Sequence, residues 1–314
     1  MKILPYSIGT GDRFGRQGKA QLAAVLKAAR NGLDLAIVWN KSHREHMLIN
    51  TSPADVRKEA DQAARALNFQ GQYFVDADHI GLANVDLFMD HSDFFTLDVA
   101  DFIGQKADEK SLNAFVTAHG SLMGTLDLEG LGQPLDISSE KLRRIAEKYL
   151  FAVQKAGKTF RHIKKAKPEG SFVIEVSMDE TLEPQTPMEL LVILAAIAHE
   201  KIPAQTIAPK FCGEFHKGVD YIGDVKRFAR EFEDDLCILN HAVSCLDLPK
   251  DLKLSIHSGS DKFKIYPVMG KLIKKHGAGL HLKTAGTTWL EELIGLSHAG
   301  GDALGIVKEI YALS

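Results

Sequence analysis

The chain has 314 residues, of which 45% are hydrophobic and 25% charged, with a formal net charge of −3, a composition ordinary for a globular protein. That charge provides no footing for a nucleic acid or an acidic membrane surface, and no apolar run approaches the ~20 residues of a membrane span. The 3 cysteines, Cys212, Cys237 and Cys245, are too few and too irregular for a disulfide framework; with no secretory leader ahead of Ile3, a cytoplasmic protein with reduced thiols is expected.

The first apolar stretch, Ile3–Gly9, reads as a strand and runs into the polar tail Gly9-Thr10-Gly11-Asp12-Arg13. Gln21–Arg30 then places Leu22, Val25, Leu26 and Ala29 on one helical face. A second strand, Leu35–Asn40, precedes Ser52-Pro53-Ala54-Asp55, whose cap, first-turn proline and acid open a helix running through Ala66. Tyr73–His79 and Phe95–Ala100 are the third and fourth strands. Asp101 to Gly170 is far longer than one crossover needs; it holds the glycine-rich stretch Gly120–Gly132 and a helix over Ser139–Lys165. It reads as an insertion at about 101–170, serving as a lid, an oligomer contact or plain decoration.

Ser171–Ser177 is the fifth strand, followed by the capping box Thr186-Pro187-Met188-Glu189 and the apolar helix Leu190–His199. Thr206–Phe211, Leu252–His257 and Leu280–Ala285 complete the strands, with helices over Asp224–Leu246, Phe263–Lys275 and Thr288–Leu313. Strands alternating with helices imply a parallel sheet, and eight of them imply closure into a (β/α)8 barrel, one domain over residues 1–314. A doubly wound open sheet is the rival, but no dinucleotide glycine fingerprint follows the first strand.

In such a barrel the C-terminal strand ends share one mouth, where active sites reside. Alternation along the strands turns Asp76 and Asp78, Glu175 and Ser177, Ser255 and His257, and His281 and Lys283 toward the axis, with His79 at a strand tip. Ionisable groups packed into one small volume need balancing charge, which a metal would supply. His79, Glu175 and His257 are the first choice of ligands; two imidazoles and a carboxylate suit Zn, Mn, Ni, Co or Fe. Asp78, Asp179 and Glu214 are substitute ligands or proton-transfer groups. Arg13, Lys210 and Lys283 can anchor an anion or an oxyanion, and a Schiff-base lysine is the other use of such a position. Ser258, Ser260 and Thr284 lie where such barrels bind phosphate, and a carboxylate would use the same donors. Trp39, Phe211, Phe215, Tyr221 and Trp289 fall near the mouth and serve either sugar stacking or core packing.

Gly9-Thr10-Gly11-Asp12-Arg13, Asp76-Ala77-Asp78-His79, Val176-Ser177-Met178-Asp179-Glu180-Thr181 with Pro184-Gln185-Thr186-Pro187, and the run from Gly213 to Asp224 resemble the tagaturonate/fructuronate epimerase family. Ser255-Ile256-His257-Ser258-Gly259-Ser260-Asp261-Lys262-Phe263 and His281-Leu282-Lys283-Thr284-Ala285-Gly286-Thr287 continue the likeness in order to the last strand, as in a short member without the family's flanking extensions. The resemblance implies a metal-dependent epimerase of ketouronates or related ketoses, working by retro-aldol chemistry. A small-molecule sugar acid or ketose is the implied partner, and a homo-oligomer is compatible with it. Asp78, with Asp179 or Glu214, would move protons; Arg13, Lys262 and Lys283, with Ser258, Ser260 and Thr284, would hold the carboxylate and hydroxyls. Asp78-His79 and His257-Ser258-Gly259-Ser260 also look similar to class II aldolases. An aldolase and a non-catalytic sugar-binding protein are the alternatives.

Overall fold

Residues 2–168 and 170–314 are described in a computed structural model of the chain. In chain order the strands and helices are β1 (Tyr6–Asp12), α1 (Gly18–Arg30), β2 (Ala36–Ser42), α2 (His43–Ile49), α3 (Pro53–Ala66), β3 (Tyr73–Ile80), β4 (Phe94–Asp98) and α4 (Glu109–Ala118). There follow β5 (Gly124–Leu126), β6 (Leu135–Ile137), α5 (Ser139–Ala166), β7 (Val173–Ser177), α6 (Pro187–His199), β8 (Thr206–Ala208) and α7 (Val225–Cys245). The chain closes with β9 (Lys253–Gly259), α8 (Tyr266–His276), β10 (Leu280–Thr287), α9 (Trp289–Ala299) and α10 (Gly301–Leu313).

Eight strands form a closed barrel in the order β1-β10-β9-β8-β7-β4-β3-β2. Every neighbouring pair in it is parallel, so all eight C-terminal ends open at one mouth. This is the (β/α)8 architecture expected from the alternation of apolar strands and helices. The interval between β4 and β7 contains α4, the small antiparallel β5–β6 hairpin, and the 28-residue α5, which packs against α6 as part of the helical ring.

Local chemistry explains most element boundaries. Thr186 accepts a hydrogen bond from the Glu189 amide while Glu189 accepts from the Thr186 amide, and Pro187 starts α6. Leu190 through Ile197 are all buried, because α6 lies between α5, α7 and the barrel wall. Among the described residues no helix is long and apolar enough to cross a membrane.

Several elements differ from the sequence reading, β8 for one ending at Ala208 rather than Phe211, and three differences have a local cause. β1 begins at Tyr6, not Ile3, and reaches Asp12, because Pro5 has no amide to donate and the glycine-rich tail continues the ladder with β2 and β10. The expected helix over Thr288–Leu313 is two helices, broken where Gly300 and Gly301 adopt φ of +70° and +52°. A short helix not expected from the pattern, α2, follows β2 directly, with a capping box between Ser42 and Glu45.

Candidate active site

The mouth of the barrel encloses a cavity of about 490 Å³ lined by residues that include Asp78, His79, Asp179, His257 and Lys283. β3 carries two of these groups side by side. Strict alternation would turn Asp78 and His79 to opposite faces, yet both face the cavity. His79 has φ of +54°, and the β3–β4 register shifts between Ala77 and Ile80, so the strand tip is re-aimed there.

Lys283 sits beneath them at the centre of a buried charge network. Its Nζ lies 2.7 Å from Asp76 Oδ2, 2.6 Å from Asp78 Oδ1 and 3.6 Å from Glu175 Oε1, and donates to Thr96 Oγ1 at 2.8 Å. The Thr96 hydroxyl is within 3.1 Å of Asp76 and Glu175 carboxylate oxygens. Burial alone would neutralise Lys283, but the three carboxylates drive its pKa upward. Burial likewise opposes ionisation of Glu175, yet His257 and then Lys283 hold it well below the usual carboxylate range. Asp78, against the same burial, is held down by Lys283 and His79. Burial dominates at Asp76 and raises it to about 6 despite Lys283.

Each imidazole is gripped from behind by one of these carboxylates. His79 Nδ1 is 2.7 Å from Asp78 Oδ1, and His257 Nε2 is 2.9 Å from Glu175 Oε1. The opposite nitrogens, His79 Nε2 and His257 Nδ1, converge on Asp179 at 3.2 and 3.0 Å, and the two rings lie 5.3 Å apart. One donor atom from each of His79, Asp179 and His257 falls within 4.8 Å of the others. His257 Nδ1 is buried yet makes no aligned hydrogen bond among the described residues, although Asp179 Oδ2 is at ion-pair distance. Two donors that are close but not aimed at each other suit a shared cation. Burial would lower both histidines, but Asp78 lifts His79 well above its ordinary value and Asp179, then Glu175, lift His257 to about 9.

The expected ligand Glu175 is therefore present, but behind His257 and fully buried, while Asp179 faces the cavity in its place. Glu214 lies in an adjoining lobe of about 280 Å³, its side chain 62% exposed and 3.4 Å from His216. The residues expected to hold substrate divide sharply. Thr284 lines the cavity and Arg13 pairs with Glu45 beside it. Lys283 is consumed by its carboxylates, and Ser258, fully buried, donates to the Lys283 carbonyl at 3.2 Å. Lys262 is also fully buried, with Nζ on the His216 carbonyl at 3.0 Å and the Ser260 hydroxyl at 2.9 Å. Lys262, Ser258 and Ser260 thus stabilise loops. Of the aromatics, Phe215 lines the cavity, Trp39 and Tyr221 are buried on Gln21 and Cys212, and Trp289 packs edge-on against Phe14.

Arg44, Lys217 and Glu180, to which the sequence pattern assigns no catalytic or binding role, also line the cavity. For Arg44 a signal existed: Ser42-His43-Arg44-Glu45 is a capping box immediately after a strand. Lys217 lies in the run from Gly213 to Asp224, where proton transfer fell to Glu214 and no role to Lys217.

A family model described as tagaturonate epimerase matches residues 2–312. A curated tagaturonate/fructuronate epimerase from Thermotoga maritima is 29% identical over 315 residues, covering 97% of this chain and 62% of its own length. A glycerol-complexed crystal structure of fructuronate-tagaturonate epimerase from Cohnella laeviribosi superposes with a TM-score of 0.77 at 26% identity, covering 98% of this chain and 62% of that one. This chain thus spans less than two thirds of the length of these relatives. A probable tagatose 6-phosphate kinase from Sinorhizobium meliloti shares the fold, with a TM-score of 0.54 at 14% identity over 94% of this chain and 69% of its own.

Proposed function

Because the chain belongs to the tagaturonate epimerase family, we propose that it interconverts two ketouronates of the tagaturonate/fructuronate kind by breaking and remaking one carbon–carbon bond. The two sugars differ at a carbon β to the ketone, whose hydrogen the carbonyl does not acidify, so enolisation leaves that centre untouched. Loss of the β-hydroxyl proton instead lets the oxygen electron pair form an aldehyde. The α–β carbon bond breaks and its electrons pass to the ketone oxygen, giving an enediolate. The aldehyde then turns, the bond re-forms on its other face, and the proton returns.

The triad His79, Asp179 and His257 fits a divalent cation with two nitrogen donors and one oxygen donor, of the Zn, Mn, Ni, Co or Fe type. Bound there, such an ion would supply positive charge beside the oxygens that become anionic. The protein's own groups divide the remaining work. Asp78 and Glu175 orient the two imidazoles, and Lys283 keeps both carboxylates ionised. Glu180 lines the cavity next to Asp179, and we assign it the proton transfer, since Asp78 is already engaged by Lys283 and His79. Asn40, Asn84 and Thr284 face the space where sugar hydroxyls would lie.

The observation that carries this reading is the family match along nearly the whole chain. Incubation with fructuronate and each divalent metal, followed by chromatography, tests it. Tagaturonate should accumulate and should vanish on chelation, and Glu180→Gln should bind metal normally while losing turnover. Stable three-carbon fragments would reassign the protein to the aldolases, and binding without any product would make it a sugar-binding protein.

A further inference from the structure

Three cations that the chemistry above leaves unused gather at the cavity mouth. Arg44 from the first turn of α2 and Lys217 from the loop between β8 and α7 both line the cavity that holds His79, Asp179 and His257. Arg13, at the end of β1, stands behind them with its side chain 12% exposed and its guanidinium paired with Glu45 of the same helix α2. Their charges act on one another: burial and then Arg44 lower the Arg13 pKa, with Asp78 opposing. Burial, then Arg13 and Arg44, lower that of Lys217. Among the described residues neither Arg44 nor Lys217 has a carboxylate partner. Clustered like charges repel until an anion enters between them.

The loop that presents Lys217 is firmly seated. Lys262 Nζ donates to the His216 carbonyl at 3.0 Å, and the Gly218 amide donates to Ser260 Oγ at 3.0 Å. At Gly259, where φ is +69°, a Cβ would stand 2.7 Å from the Phe215 carbonyl oxygen and 3.5 Å from Lys217 Cγ. Lys217 is thereby pressed against the tip of β9, two residues beyond His257.

We propose that Arg44 and Lys217, backed by Arg13, form the receptor for the carboxylate of an acidic sugar, and that Lys262 and Ser260 are positioning residues for Lys217. The inference rests on the ketouronate reading and sharpens it. The carboxylate end of the substrate lies at the α2 side of the mouth and its carbonyl end at the His79–Asp179–His257 triad. A neutral ketose, with a hydroxymethyl group in place of the carboxylate, gains no charge-assisted contact from Arg44 and Lys217 and binds more weakly.

Titration calorimetry of the full chain with added Mn, comparing fructuronate with fructose, tests this. The wild type should prefer fructuronate. Lys217→Met and Arg44→Met should each weaken fructuronate binding roughly tenfold or more, as expected for loss of a charge-assisted contact, and leave fructose unchanged. Lys217→Arg should retain most of the preference. Both positions are exposed, so the variants should fold, as circular dichroism will verify. If the wild type discriminates and both Met variants still do so fully, the receptor lies elsewhere while the ketouronate reading stands. If the wild type binds the two sugars alike, or neither, receptor and reading fall together.

Discussion

Lys283 shows how much one side chain can govern. It neutralises a space into which β3 and β7 project Asp76, Asp78 and Glu175, and truncating it would leave carboxylates buried without a counter-charge. Lys283→Met should therefore destabilise the fold by about 3–5 kcal/mol, read as a lowered denaturation midpoint. A loss under ~1 kcal/mol would mean that water already reaches those acids. One step deeper, His281 is fully buried with Nδ1 2.8 Å from Ser7 Oγ, and burial, only partly opposed by Glu175, lowers its pKa to about 3. The unfolded ring titrates near ~6.5, so below that pH the unfolded chain takes up the proton first. The stability that His281 contributes is complete above pH ~6.5 and declines as pH falls toward 3, at up to ~1.4 kcal/mol per unit. Urea midpoints at pH 7 and 5 should show a smaller drop in His281→Asn than in wild type; equal drops would remove His281 from the account. At this scale residue type was legible and partnership was not. Lys262 and Lys283 read alike as substrate cations, yet one ties a loop and the other holds three acids.

At the scale of elements, caps and periodicity were the readable part. The capping boxes opening α3 and α6 mark their helices in the sequence because the interacting residues are three positions apart. The left-handed turn at His79 had no such local mark, since it arises from the register shift with β4. The β1–β10 seam was likewise hidden in glycines. A Cβ at Gly286, whose φ is +61°, would sit 2.0 Å from the Gly11 carbonyl oxygen, so backbone would have to move. Gly286→Ala should cost about 2 kcal/mol or more and shift the end of β10 that bears Thr284, seen as a lower melting temperature with weaker sugar binding. An unchanged melting temperature would show the seam to be pliable.

For the whole molecule, barrel closure brings His79, Asp179 and His257 together from β3, the end of β7 and β9. Asp78 and Asp179 favour the protonated forms of His79 and His257, so a metal entering the proposed site would have to displace those protons. A divalent ion at a hundred times its pH 7 dissociation constant should stabilise the native state by ~2.7 kcal/mol, and the same concentration should stabilise it by more at pH 9. Thermal unfolding with Mn or Zn checks this; Asp179→Asn should lose most of the shift, and an equal shift in that variant would place the ion elsewhere.

Taken alone, the sequence determined the strand–helix alternation, the closed barrel, the family likeness and the concentration of acids and histidines at the strand ends. These follow from periodicities of two and 3.6 residues and from short-range caps, which act within a few positions of the chain. Only the tertiary structure decided that Asp179 faces the shared donor space while Glu175 lies behind His257. It likewise decided that Lys262 is a buried strut, and that Arg44 and Lys217 line one cavity. Those outcomes depend on register shifts and on loops packed from opposite sides of a cylinder, distances that no local spacing encodes.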